Sequence, residues 1–440
     1  MSDWTELESE AVRITRELIR VDTSNFGDGS GPTERPAADY VVDLLREVGL
    51  DPVLFESAPG RASVVVRIAG ADSQRGGLVV HGHLDVVPAN AADWSVDPFA
   101  ADERDGMIWG RGAVDMKSMD GMVLANLRRM ARENIVPPRD LVFAFFADEE
   151  QGGRMGSEWM VTNHPELFDG CTEAISEVGG YSITLPVAGL GEKRRAYLLQ
   201  TAEKGYAWVH LRALGRAGHG SLPNDDNAIV HLAQAITRIN EHEWPIEYVA
   251  SVQALFDEVS EITGASPEGD LDQFLDLMGG GQAFVAATLR DSANFTRLDA
   301  GYKNNVIPGE ATAHIDCRFL PGHQDELLDT IRELAGPKVE LVIDQLGISL
   351  DAPRESEFVG KMHQAILAED PGADLLPYCM SAGTDNKWLH TLGIQGYGFV
   401  PLQLPEDLNF ALLFHGVDER VPVDAVKFGA RVLRQLLEDC

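Results

Sequence analysis

Histidines and carboxylates cluster where apolar runs of this chain break off. The stretch Leu78-Val79-Val80-His81-Gly82-His83-Leu84-Asp85-Val86-Val87-Pro88 sends three apolar residues into two histidines and an aspartate, and Pro88 closes it. Such a run is read as a buried strand that delivers side chains at its C-terminal end, where open α/β sheets build their sites. On the residues alone, His81 and His83 suit a satisfied core or turn pair as well as a ligand pair. Asp115 lies in Gly110-Arg111-Gly112-Ala113-Val114-Asp115-Met116-Lys117, and Glu149-Glu150 follow an apolar run at 140–147. Glu177 sits before a glycine pair, and His415 lies nearly 240 residues later in Phe414-His415-Gly416-Val417-Asp418-Glu419. Imidazoles and carboxylates without cysteine suit zinc or manganese in a catalytic setting. Two histidines with three or four carboxylates exceed the need of one ion. They suit two ions about 3.5–4 Å apart that share a bridging carboxylate. Each single Asp or Glu at a strand end also suits a cap or a solvated turn. The pair Glu149-Glu150 resists that reading, because two like charges behind a buried strand repel unless a cation or proton offsets them.

The elements that must position these residues follow from periodicity. Residues 5–24 and 37–48 read as amphipathic helices, then 53–55, 63–68 and 77–80 as strands. Asp105-Gly106 marks a hairpin ahead of 107–109. A helix at 117–132, a strand at 140–147, a helix at 156–163 and a strand at 171–178 continue a strand–helix alternation of α/β type. From about residue 200 the pattern changes. Residues 206–214 alternate as a half-buried strand, 227–239 read as a helix, and 260–281 as a Gly-rich, acidic excursion at the surface. Strands at 284–289, 312–319 and 339–343 with a helix at 324–334 complete a strand-helix-strand-strand-helix-strand order, a ferredoxin-like inserted domain. Residues 352–440, with helices at 356–368 and 423–438 around a strand at 394–399, return to the first sheet. The expected division is 1–199 and 352–440 as one catalytic domain, with 200–351 inserted.

Composition excludes some partners. The 440 residues carry 70 acidic against 36 basic side chains, a formal net charge of -34. Such a field repels nucleic acid and anionic membranes. No apolar run approaches the length of a membrane span. The acidic, amphipathic start reads as a first helix and not as a secretory signal. Cys171, Cys317, Cys379 and Cys440 are far apart, with neither a disulfide framework nor a Cys-rich metal motif, which fits a reducing cytoplasm.

The sequence resembles the M20 family of co-catalytic zinc peptidases and aminoacylases. The matching stretches are HGHLDVVP (81–88), GRGAVDMK (110–117), ADEE (147–150), SEVGG (176–180), GHGSLP (218–223), NNVIPG (304–309), IDCRF (315–319), SAGTD (381–385) and FHGVDE (414–419). They occur in family order over nearly the whole chain. Two departures are Ser176, where an aspartate is common, and Asp418, where many members have asparagine.

The resemblance implies a mixed-sheet zinc-peptidase catalytic domain with an inserted ferredoxin-like lid and dimerisation domain. It implies two zinc ions per subunit, with cobalt or manganese as substitutes. His83 and Glu177 would bind one, Glu150 and His415 the other, and Asp115 would bridge them. Glu149 would be general base and then general acid, and Asp85 would orient His83 from behind. His219 would be a lid histidine that donates to the developing oxyanion, often from the other subunit of a homodimer. Asn305 and Arg318 would hold the substrate's carboxylate. Without the resemblance, His219 suits an exposed loop histidine, and Arg318 an ordinary strand ion pair with Asp316. The implied reaction cleaves an N-acyl amino acid or the C-terminal residue of a short peptide, in the manner of the carboxypeptidase S-like and N-acyl-amino-acid hydrolase branch. A dipeptidase that requires a free amino terminus is the alternative within the family. A catalytically inactive scaffold with the same fold is the alternative outside enzymes, and the intact ligand set argues against it.

Overall fold

A computed structural model describes residues 4–189 and 191–440. Its larger sheet has ten strands. The path runs Val53–Ala58, Arg61–Ile68, Leu141–Phe146, Gly77–His83, Cys171–Ser176, Gln395–Gly398, Lys193–Glu203 and Leu350–Asp351, while Ser182–Pro186 and Asp374–Met380 also pair with Lys193–Glu203. The four central strands from Leu141–Phe146 to Gln395–Gly398 are parallel. Their C-terminal ends therefore open along one rim of the sheet. Burial on both faces explains their nearly continuous apolar sequences. Leu78 and Val80 enter the core shared with helices Trp4–Ile19, Lys117–Glu133 and Val423–Asp439. Val79 enters the opposite core, with Met160 and Val161 of helix Ser157–Asn163.

The smaller sheet has four antiparallel strands in the order Ser292–Ala300, Glu310–Phe319, Gly205–Leu214, Val339–Leu346. Helices Ala228–Asn240 and Gln324–Ala335 cover one face and share its core. The other face stays open, because Thr312, His314, Asp316 and Arg318 alternate with the buried Ala313, Ile315, Cys317 and Phe319. Only Lys204 separates the large-sheet strand Lys193–Glu203 from Gly205–Leu214. Its ammonium donates to the carbonyls of Ala287 (3.2 Å) and Arg290 (2.6 Å) and ties two chain crossings together.

Two sequence expectations differ from this structure. Residues 260–281 are a surface excursion only in part: 263–273 is exposed or half-buried, while Ile262 of helix Ala250–Thr263, Phe274 and Leu275 of helix Leu271–Asp276, and Met278 pack into the core of the large sheet. Apolar side chains, not the glycines between them, decide where this segment packs. Residues 284–289 are not a strand either. Gln282–Ala286 is a short helix, and the expected strand comes later, at Ser292–Ala300. Among the described residues, no helix is long and apolar enough to cross a membrane. All four cysteines are free.

Candidate metal centre

The parallel strands deliver His83, Glu149, Glu150 and Glu177 at one rim, where loops bring Asp115 and His415 to meet them. His83 ends its strand fully buried, with Nε2 3.0 Å from Asp115 Oδ1 and 3.3 Å from Glu177 Oε2. His415 Nε2 is 3.1 Å from Asp115 Oδ2 and 3.1 Å from Glu150 Oε2. Asp115 thus divides its two oxygens between two imidazoles. Glu149 lies in a compact group with His83 and Glu177, and Glu150 in another with His83 and Asp115. The structure brings together all five residues read as ligands and the residue read as base.

Local backbone explains how neighbouring residues face one cavity. Asp148, Val178 and His415 adopt left-handed backbone angles, φ 65, 52 and 57°. Strained non-glycine residues of this kind collect at functional sites. Here each is a residue read as ligand or base, or stands beside one. Asp148 is held in place: its carboxylate accepts from Asn25 Nδ2 (3.0 Å) and Met155 N (2.9 Å). Asp85 braces the same loop, accepting the backbone N–H groups of Glu149 (3.0 Å) and Glu150 (3.2 Å) and the Asn25 amide (2.9 Å). His83 Nδ1 meets the Asp85 carbonyl at 2.9 Å and its carboxylate at 3.5 Å. That contact fixes the ring so that Nε2 addresses the cluster.

The loop that carries Asp115 hangs on Glu419. Its buried carboxylate accepts from Val114 N (2.7 Å) and Asp115 N (3.1 Å), and Arg111 pairs with it at 2.6 Å. Burial pushes Glu419 up to about 7, against the pull of Arg111.

Electrostatically the cluster is a trap for positive charge. Burial and Glu177 push Glu149 well above the usual carboxylate range. Burial raises Glu177 to about 8, against the pull of His83. Burial opposes ionisation of Asp115 too, but hydrogen bonds from His415 and His83 outweigh it and hold the carboxyl well below its ordinary value. Bonds to Asp115 and Glu150 lift His415 to about 11. Mixed imidazole and carboxylate donors of this kind fit divalent ions such as zinc. The spacing fits as well. Bonds of about 2.0–2.1 Å in a tetrahedron put ligand atoms roughly 3.3–3.4 Å apart, close to the 3.3 Å from His83 to Glu177.

Of the other three expected site residues, Arg318 lies on the smaller sheet, His219 on the two-stranded pairing of Gly218–His219 with Val306–Ile307, and Asn305 in the turn before it. His219 is exposed, and its Nδ1 meets Ser221 Oγ at 2.8 Å. Gly220 N donates to the Asn305 carbonyl at 2.9 Å, which brings the His219 and Asn305 turns together. Arg318 is bound to Asp316 through Nε (2.8 Å) and one Nη (3.1 Å), over the ring of Tyr206. Among the described residues, no hydrogen bond or ion pair joins these three to the His83–His415 cluster.

Sequence reasoning missed the basic floor of the site. Lys387 is buried behind Glu149; burial alone would lower its ammonium, but Glu149, Asp385 and Glu203 raise it. Glu203 in turn accepts from Thr384 N at 3.0 Å. The signal was there, a run of four polar residues, Thr384-Asp385-Asn386-Lys387, after an apolar stretch. His81 takes the core role left open for it: it is buried, with Nε2 2.9 Å from Asn386 Oδ1.

Comparison with known proteins agrees with this architecture. Human aminoacylase-1 is 26% identical over 445 residues, spanning 99% of this chain and 96% of the relative. The N-fatty-acyl-amino acid synthase/hydrolase PM20D1 of Xenopus tropicalis is 26% identical, spanning 98% of this chain and 86% of its own. Among solved structures, an M20 family metallo-carboxypeptidase from Sulfolobus solfataricus superposes with a TM-score of 0.70 at 17% identity and covers 98% of both chains. The model of peptidase family M20/M25/M40 matches residues 79–439, from the strand that presents His83 to the helix that follows His415. With a two-imidazole, multi-carboxylate centre at the rim of that sheet, the chain is a metal-dependent hydrolase that belongs to peptidase family M20/M25/M40.

Proposed function

We propose that the protein hydrolyses the amide bond of an N-acyl amino acid, or that of the C-terminal residue of a short peptide. The observation that carries this reading is the divided carboxylate of Asp115, 3.0 Å from His83 on one side and 3.1 Å from His415 on the other. His83 and Glu177 would hold one zinc ion and Glu150 and His415 a second, with Asp115 between them; cobalt or manganese suits the same donors. Bound there, the pair supplies Lewis acidity, lowering the pKa of a shared water and polarising the scissile carbonyl. Glu149 accepts the proton of the attacking water and returns it to the leaving nitrogen. Asp85 orients both this loop and His83. His219 donates to the oxyanion that develops on the carbonyl oxygen. Arg318, whose Nε side is occupied by Asp316, offers its remaining fork to the substrate's carboxylate, with Asn305 beside it.

Such a division of labour requires the smaller sheet to approach the rim. We read 1–199 with 352–440 as the catalytic domain and 200–351 as a ferredoxin-like insertion, whose helices at 250–286 remain seated on the larger core. The antiparallel order of its four strands supports that reading, and Lys204 is one hinge. Closure would exclude water from the site. A homodimer through the inserted domain would bring a partner's His219 to the rim. Free, mostly buried thiols accord with a cytoplasmic location.

The acyl-amide and dipeptide readings differ in what must sit beside the scissile bond, a hydrocarbon or a free ammonium. A cavity of about 350 Å³ is lined in part by Tyr181, Ile183, Leu408 and Phe410 and in part by Lys193, Asp276 and Glu406. Ring contacts lead from Tyr181 through Phe410 to Phe414, the neighbour of His415. The test is activity on N-acetyl-alanine, longer N-acyl amino acids and Ala-Ala, before and after chelation and zinc add-back. Preference for the acylated compounds and loss of turnover without metal are expected. Preference for Ala-Ala gives the dipeptidase reading, and full turnover of verified metal-free protein overturns the mechanism.

A further inference from the structure

A second group of imidazoles and a carboxylate lies on the open face of the smaller sheet. His210 and His314 are direct cross-strand partners in the pairing of Gly205–Leu214 with Glu310–Phe319, and their rings are 5.5 Å apart. Cross-strand partners on one face hold their side chains within contact range. Asp344 comes from the third strand, Val339–Leu346. There the register passes from Trp208 opposite Gln345 to Val209 opposite Ile343, and Asp344 is the extra residue. A bulge turns a side chain that the regular pleat would aim elsewhere. The Asp344 carboxylate meets His210 Nδ1 at 2.8 and 3.0 Å and lies 3.8 Å from His314 Nδ1. One ligand atom from each of the three lies within 4.8 Å of the other two.

We propose that His210, His314 and Asp344 form a third divalent-cation site, of the zinc class, separate from the centre at the rim of the large sheet. Two imidazoles and one carboxylate match the three-protein-ligand sets of zinc sites with an open position, which water or an external ligand fills here from the solvent side. The 2.8 and 3.8 Å from the Asp344 carboxylate to the two imidazoles bracket the edge of a tetrahedron around such an ion. Competing positive charge nearby is already engaged, since Arg212 is bound by Glu310 at 2.8 Å and faces Glu340 at 3.8 Å. The net charge of -34 draws cations to the surface. An ion held from three adjacent strands clasps the sheet that carries Arg318. Because it binds the folded sheet and not the separated strands, it stabilises that sheet in proportion to its occupancy.

The test counts zinc per chain by elemental analysis, after equilibration with zinc and desalting, in the full-length protein and in the variants His210→Ala, His314→Ala and Asp344→Asn. Each variant is expected to hold one equivalent fewer than the unaltered chain while amide hydrolysis and the far-ultraviolet circular dichroism are retained. Addition of that last equivalent should raise the melting temperature of the unaltered chain and not of the variants. The difference between chains carries the test, so its outcome does not depend on how many ions the rim centre holds. Equal zinc content in the unaltered chain and all three variants overturns the proposal. Loss in only one variant also overturns it, because a shared ion needs all three donors. His314→Gln guards against a folding defect in the alanine variant and should lose the same equivalent.

Discussion

His83, Asp115, Glu150, Glu177 and His415 converge at the ends of buried parallel strands, whereas His219, Asn305 and Arg318 stand on or beside the open sheet. In the first region polar groups answer one another across long sequence separations: Asp115 meets His415, and Glu419 holds the backbone of Asp115. In the second they answer near neighbours, His219 with Ser221 and Arg318 with Asp316. Desolvation accounts for the difference. A buried carboxylate must find a partner, so the large sheet assembles its cluster as it folds. Exposed groups are satisfied by water and by adjacent residues, and they remain available to a substrate. One half of the proposed site is thus preformed, and on that proposal the other would be delivered by hinge motion or a second copy.

The largest expected effect comes from breaking the preformed half. Asp115→Ala removes the carboxylate common to both imidazoles, so metal content should fall for both ions together. Two-ion sites contribute several kcal/mol of charge stabilisation, so turnover should fall by at least about 10³-fold. Retention of full metal content would show that His83 and His415 do not share Asp115. Within the same half, Glu149→Gln should keep the metals and lose about 10²-fold or more in kcat, while Glu150→Gln loses metal as well as rate. Elemental analysis beside kcat separates the three.

The exposed half should respond differently. His219→Ala is expected to lower kcat by about 10²–10³-fold, the scale of one oxyanion donor, with metal content unchanged. If His219 comes from a partner, mixing that variant with Glu149→Gln should restore activity, because one site in the mixed dimer has both groups intact. Failure of His219→Ala to slow turnover would remove that imidazole from the chemistry. Asp316→Asn is milder. It loosens the Arg318 guanidinium without removing it, so KM should rise by roughly 10-fold, the worth of one hydrogen bond to a charged group, while kcat stays near its original value.

The two halves also differed in what the chain disclosed. His83, Asp85, Glu149 and Glu150 sit directly behind apolar runs, and local spacing sufficed to single them out. Glu177 and His415 have no local pattern; their pairing with the rest is set by strand order, which spacing does not encode, and the family resemblance supplied it. Strand Asp374–Met380 escaped notice because it contains Pro377, which argues against a central strand. It is tolerated because that strand pairs on one side alone, with Lys193–Glu203. The helices at 250–286 were missed where glycines and acids outweighed the spacing of Phe274, Leu275 and Met278, all three buried. Glu419 supports the centre from a segment whose partners are distant in sequence, so only the fold reveals it, whereas Lys387 left a trace in the polar run 384–387.

The smallest expected effect measures how dry the preformed half is. His81 lies two residues before His83, and burial, assisted by the nearby His83, lowers it to about 4 against the opposing bond to Asn386. Its ordinary value is 6.5. The folded chain therefore keeps the ring neutral between pH 6.5 and 4, while the unfolded chain takes up a proton. Stability falls as pH drops through that window, and above it His81 makes no pH-dependent contribution. His81→Gln retains a donor for Asn386 and cannot titrate. Between pH 7.5 and 5 the variant should lose less stability than the unaltered chain, by about 1–2 kcal/mol on the scale of 1.36 kcal/mol per pKa unit. Denaturant titrations at the two pH values, on metal-loaded protein, give the difference directly. Parallel losses would mean that water reaches His81 and that the floor beneath the metal centre is wetter than its burial implies.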